Sequence, residues 1–190
     1  MRNWIKNRIN LYKELIDNSF LYSKIEDVVD TIVHVRNKNC KILITGNGAS
    51  NTIATHAALD FTNQLAIPCL SFNDASVITA FSNDFGYENS IKRFIKLYSD
   101  KDDCFIFVSS SGESENVIRA AEFASTKGEV ITFTGFNKNN RLKNLGDINF
   151  WVNSTKYNVV ENIHMMWLST ICEVLAHKEK EFIGAHGRKL

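Results

Sequence analysis

A chain of 190 residues with 44% hydrophobic content suits one globular domain with a sizeable core, which excludes an intrinsically disordered segment. Its 22 basic and 21 acidic residues leave a formal charge of +1, so the overall balance draws it neither to nucleic acid nor to an anionic membrane. Cys40, Cys69, Cys104 and Cys172 are far apart and form no C-x-x-C pair, which argues against zinc-knuckle and thioredoxin-type sites and predicts free thiols in a reducing cytoplasm.

The opening stretch, MRNWIKNRINLYKELIDNSF, carries charges every few positions and lacks the apolar core of a signal peptide. No run in the chain is long enough to span a membrane. Residues 4–17 read as a helix, with Ile5, Ile9, Tyr12 and Ile16 on one face and Trp4, Leu11 and Leu15 beside it. Residues 24–36 repeat the pattern with Ile25, Val28, Val29, Ile32 and Val35. The period then changes. CKILIT (40–45) is a short apolar run with β-branched residues, read as a strand; GNGAS (46–50) breaks it, and 51–65 read as a helix. AIPCLSF (66–72) reads as a second strand, and DASVITAFSN and GYENSIKRFIKLYS as two helices. CFIFVS (104–109) is a strand, 114–126 a helix, EVITFTG (129–135) and DINFWV (147–152) strands, and 158–177 the last helix.

Strands alternating with helices imply right-handed crossovers and a parallel sheet covered on both faces. The expected fold is α/β: a three-layer, doubly wound, five-stranded parallel sheet with an N-terminal helical arm. One domain fills the chain, with the arm over 1–38, the α/β core over 39–178 and a solvated tail over 179–190. Sheets of this kind bind ligands beyond the carboxyl ends of their strands, where the strand order switches. Two loops rich in glycine and serine, 46–50 and 109–114, fall at such ends.

The second loop is chemically pointed. A strand that enters a helix through small hydroxyl residues forms an anion site, because the first amides of a helix lack partners and carry partial positive charge. Ser109, Ser110, Ser111 and Ser114 add hydroxyl donors, and Gly112 permits close backbone approach. No lysine follows in the spacing of a nucleotide P-loop, and there is no dinucleotide glycine pattern, so a phosphate monoester is expected and a nucleotide cofactor is not. The competing reading is a simple capping cluster, in which Ser111 or Ser114 only starts the helix.

TGNGAS, NDFG (83–86), SSSGESENVIRAA and the E-N-I-H segment (161–164) together resemble the sugar isomerase, or SIS, fold, and within it the phosphoheptose isomerases. That group carries G-N-G-G-S, H-x-x-x-E, N-D-[FY]-G, S-T-S-G-N-S and Q-E-x-H-x-x-x-x-H, in this order. The resemblance covers roughly residues 1–178. It implies that the phosphate of a sugar phosphate sits on Ser109, Ser110, Ser111 and Ser114, that Asn47 and Ser50 contact sugar or phosphate, and that Asp84 lies near the sugar hydroxyls. It also implies a homotetramer with active sites at subunit boundaries. The nearly all-round apolar surface of the last helix, Ile163, Met165, Met166, Trp167, Leu168, Ile171, Val174 and Leu175, agrees with burial on more than one side.

The family's catalytic positions are only partly kept. The resemblance assigns proton transfer to the glutamate of H-x-x-x-E and the last histidine of Q-E-x-H-x-x-x-x-H, and zinc to both histidines, that glutamate and the glutamine. Here His56 and His164 stand unchanged, but the glutamate is Asp60, the glutamine is Glu161, the last histidine is Ser169, and an arginine usual four residues beyond the glutamate is Gln64. Serine cannot shuttle protons near neutral pH. Glu161 brings in a carboxylate able to act as the base, and His56, Asp60 and Glu161 make a candidate set for zinc, manganese or iron. The expected catalytic residues are therefore Asp60, Glu161 and His56. The leading expectation is a cytoplasmic phosphosugar aldose–ketose isomerase acting through an enediol on sedoheptulose 7-phosphate or a related sugar phosphate, in heptose supply for a surface polysaccharide. The alternative is a catalytically altered regulator or scaffold of the replication-initiator-binding type that keeps the phosphosugar pocket. Neither nucleic acid nor membrane is an expected partner.

Overall fold

The computed structural model describes residues 1–16 and 19–186. Two helices, α1 (Arg2–Ile16) and α2 (Ser19–Asn37), lead into an alternating core of β1 (Ile42–Gly46), α3 (Ala49–Leu65), β2 (Cys69–Ser71), α4 (Ala75–Phe85), α5 (Tyr87–Tyr98), β3 (Cys104–Ser109), α6 (Glu115–Ala124), β4 (Val130–Thr134), a 3-10 turn (Leu142–Leu145), β5 (Ile148–Trp151) and α7 (Tyr157–His186). The five strands are all parallel and run in the order β2-β1-β3-β4-β5. This is the expected doubly wound sheet, and its order switches between β1 and β3.

The central strands β1, β3 and β4 are buried throughout, which explains why they read as continuous apolar runs rather than alternating ones. One face packs against α2, α3 and α7 through residues such as Ile32, Ile44, Phe61, Phe133, Ile163 and Leu168. The other packs against α5 and α6 through Leu43, Ile91, Phe105, Phe107 and Val117.

Local chemistry sets several boundaries. Asp74 caps α4 by accepting from the Val77 amide at 2.9 Å. Ala66 ends α3 in the left-handed region, and Pro68 follows, so β2 is confined to Cys69–Ser71 rather than the expected 66–72. The last helix continues through His186, past the expected end at 177, into what the sequence suggested was a solvated tail. The Lys- and Glu-rich segment HKEKEF favours helix and holds no proline. The expected end of the first helix at 17, and the tail beyond 186, lie outside the described residues.

The helical arm is present, but α1 buries none of its residues. Tyr12, Leu15 and Ile16 pack partly on the core, whereas Trp4, Ile5 and Ile9 are exposed, Trp4 by 61%.

Candidate active site

The register places Gly46 opposite Val108 and Ser109 opposite Thr134, so the loops after β1 and β3 leave the sheet side by side at the switch point. In the first loop Gly48 stands at φ 53, a conformation open to glycine, and a side chain there would meet nothing within 4 Å. Ser50 is buried just inside the start of α3.

The second loop folds as a cradle. The Ser109 hydroxyl accepts from the Gly112 amide at 3.2 Å, and the Ser111 hydroxyl accepts from the Glu113 amide at 3.2 Å. Ser114 occupies the N-cap position of α6 but makes no side-chain capping bond; the side chain of Asn116 accepts from the Val117 amide instead, at 3.0 Å. Ser114 thus starts α6 without lending its hydroxyl to the helix amides. Gly112 has φ +67, and a Cβ on it would strike Asn140. Asn140 is buried and held by its bonds to the carbonyls of Asn137 (2.8 Å) and Gly135 (3.4 Å) and by the Lys143 amide donating to it (2.9 Å). The loop after β4 thereby backs the cradle.

Two residues that the sequence reading did not single out join the loops. Asn116 and Asn47 exchange a reciprocal pair of amide hydrogen bonds, each 2.9 Å, and the Tyr87 hydroxyl donates to the Asn47 Oδ1 at 2.9 Å. Asn116 is buried, whereas Tyr87 is 55% exposed at the mouth. Asn47 is thus chiefly a tie between β1, α5 and α6.

Glu161, near the start of α7, reaches the cradle: the Ser110 hydroxyl donates to its Oε1 at 3.5 Å. Asp84 is exposed at the end of α4, where the Asn83 amide donates to it at 2.9 Å. His56 and Asp60 form an i, i+4 pair at 3.3 Å, and the Gln64 amide donates to the other Asp60 oxygen at 2.8 Å. The His56 side chain is 52% exposed and that of Asp60 16%. Asp60 lies near enough to Cys172 for its charge to act on that thiol, which burial first and Asp60 second push up to about 12. Glu161 thus touches the serine loop through Ser110, while His56 and Asp60 are paired with each other. Among the described residues no three His, Cys, Asp or Glu side chains converge to hold a metal. The donor set of His56, Asp60 and Glu161 thus does not fit a metal ion within one chain.

His164 is a core residue. Its Nε2–H donates to the Thr134 carbonyl at 3.0 Å, its Nδ1 is buried without a partner among the described residues, and its ring sits edge-on to Phe133. Burial lowers its pKa from 6.5 to about 4, against the opposing effect of the Thr134 bond. Between pH 6.5 and about 4 the folded chain therefore keeps it neutral while the unfolded chain protonates it, which favours unfolding. The loss of stability is absent above pH 6.5 and grows as pH falls toward 4. Urea unfolding at pH 7 and pH 5 is expected to show a larger loss of stability for the wild type than for His164→Gln; equal losses would remove His164 from this role.

A match to the SIS domain family covers residues 3–135. The phosphoheptose isomerase of Fusobacterium nucleatum is 33% identical over 173 residues, spanning 88% of this chain and 89% of the relative. That of Thermodesulfovibrio yellowstonii is 34% identical, spanning 80% of this chain and 79% of its own. The chain belongs to the SIS domain family and, within it, to the phosphoheptose isomerases. A solved phosphoheptose isomerase from Francisella tularensis superposes with a TM-score of 0.84 at 24% identity, covering 93% of this chain and 96% of that one. At that identity the likeness concerns the fold, and it extends over the helical arm as well as the α/β core.

Proposed function

We propose that the protein is a phosphosugar isomerase that interconverts a ketose phosphate and an aldose phosphate through an enediol, with sedoheptulose 7-phosphate as the first candidate substrate. The observation that carries this reading is the contact between Ser110 and Glu161, which puts a carboxylate against a phosphate-type cradle at the switch point of the sheet. The serine hydroxyls and the first amides of α6 hold the phosphate. Glu161 takes the proton from the carbon beside the ketose carbonyl, the carbonyl oxygen gains a proton, and the enediol forms. Loss of the neighbouring hydroxyl proton and delivery of a proton to the former carbonyl carbon give the aldose.

A second reading, a phosphosugar-binding regulator without turnover, is favoured by Ser169, which offers no imidazole, and by the engagement of Asp60 with Gln64 and His56. Proton NMR of the protein with sedoheptulose 7-phosphate and a panel of other ketose phosphates separates the two. New aldose signals support the isomerase. Binding of a sugar phosphate with no product from any member of the panel supports the regulator and defeats the isomerase.

The uncovered apolar residues of α1, together with Met166 and Val174 of α7, support assembly into a homotetramer. Light scattering that returned a mass near 21.6 kDa, that of a single chain, would exclude it. A cytoplasmic location is supported by four free cysteines and by the lack, among the described residues, of any helix long and apolar enough to cross a membrane. A role in supplying heptose for a surface polysaccharide follows if the heptulose is the substrate.

A further inference from the structure

Two strands from the cradle, roughly 10 Å across the sheet, the edge strand β5 forms a wall of a second pocket of about 500 Å³. Glu14 from the end of α1, Phe20 and Lys24 from α2, Lys138 and Lys143 from the loop after β4, and Trp151 from β5 line it. Three ammonium groups thus face one carboxylate.

The two better-placed lysines rest on neutral partners. Lys24 is half-buried and donates to the Asn149 carbonyl at 2.5 Å, and Lys143 donates to the Lys138 carbonyl at 3.1 Å. Burial, and then the charge of Lys143, lower the pKa of Lys24. Gathering like charges in a partly desolvated pocket is unfavourable unless an anion joins them. The pocket also offers aromatic surface. The Lys143 ammonium stands 5.9 Å from the Trp151 ring centroid, the Trp151 indole N–H is buried without a partner among the described residues, and the Phe20 ring is 73% exposed. A simple inorganic anion would use the lysines and leave both rings idle.

We propose that this edge pocket is a second ligand site that takes a nucleoside diphosphate, its phosphates on Lys24, Lys138 and Lys143 and its base against Trp151 and Phe20. The ligand is an effector rather than a substrate, since the pocket lies apart from the serine cradle and Glu161. Calorimetric titration of the full chain at low ionic strength, with ADP, inorganic pyrophosphate and adenosine as probes, tests this. ADP is expected to fill one site per chain and to bind about tenfold or more tightly than either fragment. Lys143→Gln and Trp151→Leu should each weaken ADP by about tenfold, whereas Ser110→Ala should leave ADP binding unchanged. Thermal melting followed by circular dichroism verifies that each variant is folded, and the exposed Lys138→Gln takes the place of any that is not. The proposal is overturned if ADP does not bind at millimolar concentration, if pyrophosphate binds as well as ADP, if the lysine variants bind ADP normally, or if Ser110→Ala abolishes binding.

Discussion

Replacing Gly112 with alanine is expected to raise the KM for a sugar phosphate by about a hundredfold, the cost of moving binding groups by around an ångström. Two effects combine. The residue sits at φ +67, where an L side chain costs about 1–2 kcal/mol. The added methyl also strikes Asn140, which cannot step aside because its amide is bonded to Asn137 and Gly135 and its oxygen takes the Lys143 amide. Relief must come from the cradle, so Ser109, Ser110 and Ser111 shift from their ligand. A variant with unchanged KM would mean that the phosphate sits elsewhere.

Glu161→Gln is expected to lower kcat by about 10²–10⁴, the usual worth of a positioned acid or base. KM should fall as well. The carboxylate lies against Ser110, where it repels an incoming phosphate, and the neutral amide relieves that repulsion while keeping the same shape. A fall in kcat together with tighter binding distinguishes a proton-transfer group from a structural one, which would weaken both. Asp60→Asn, in contrast, disturbs the pair with His56, the bond from Gln64 and the charge felt by Cys172, so comparing the two variants shows which carboxylate works on substrate.

The sheet was readable from periodicity because its central strands are buried on both sides and bounded by glycine and serine loops. The same pattern placed the two glycine- and serine-rich loops of the candidate site at strand ends, and those strands, β1 and β3, are neighbours. What the sequence concealed depends on contacts between distant elements. The Tyr87–Asn47–Asn116 tie joins residues up to 69 positions apart, and only the place of Asn116 within the SSSGESEN segment hinted at it. The exposure of Trp4, Ile5 and Ile9 was equally hidden, since an apolar helical stripe looks the same whether it faces its own core or another chain. His164 kept its family position yet turned inward to Thr134, and Glu161, a departure from the family pattern, is the residue that faces the cradle.

The central claim is that Glu161 moves a carbon-bound proton of a phosphosugar held by the serine loop. Solvent deuterium entry at the carbon beside the carbonyl, followed by NMR in D₂O with sedoheptulose 7-phosphate and the other ketose phosphates, reads this directly. The account predicts exchange with at least one of these sugars in the wild type, and exchange slowed by about a hundredfold or more in Glu161→Gln. Exchange in the variant at the wild-type rate, or none in the wild type with any bound sugar, would contradict it.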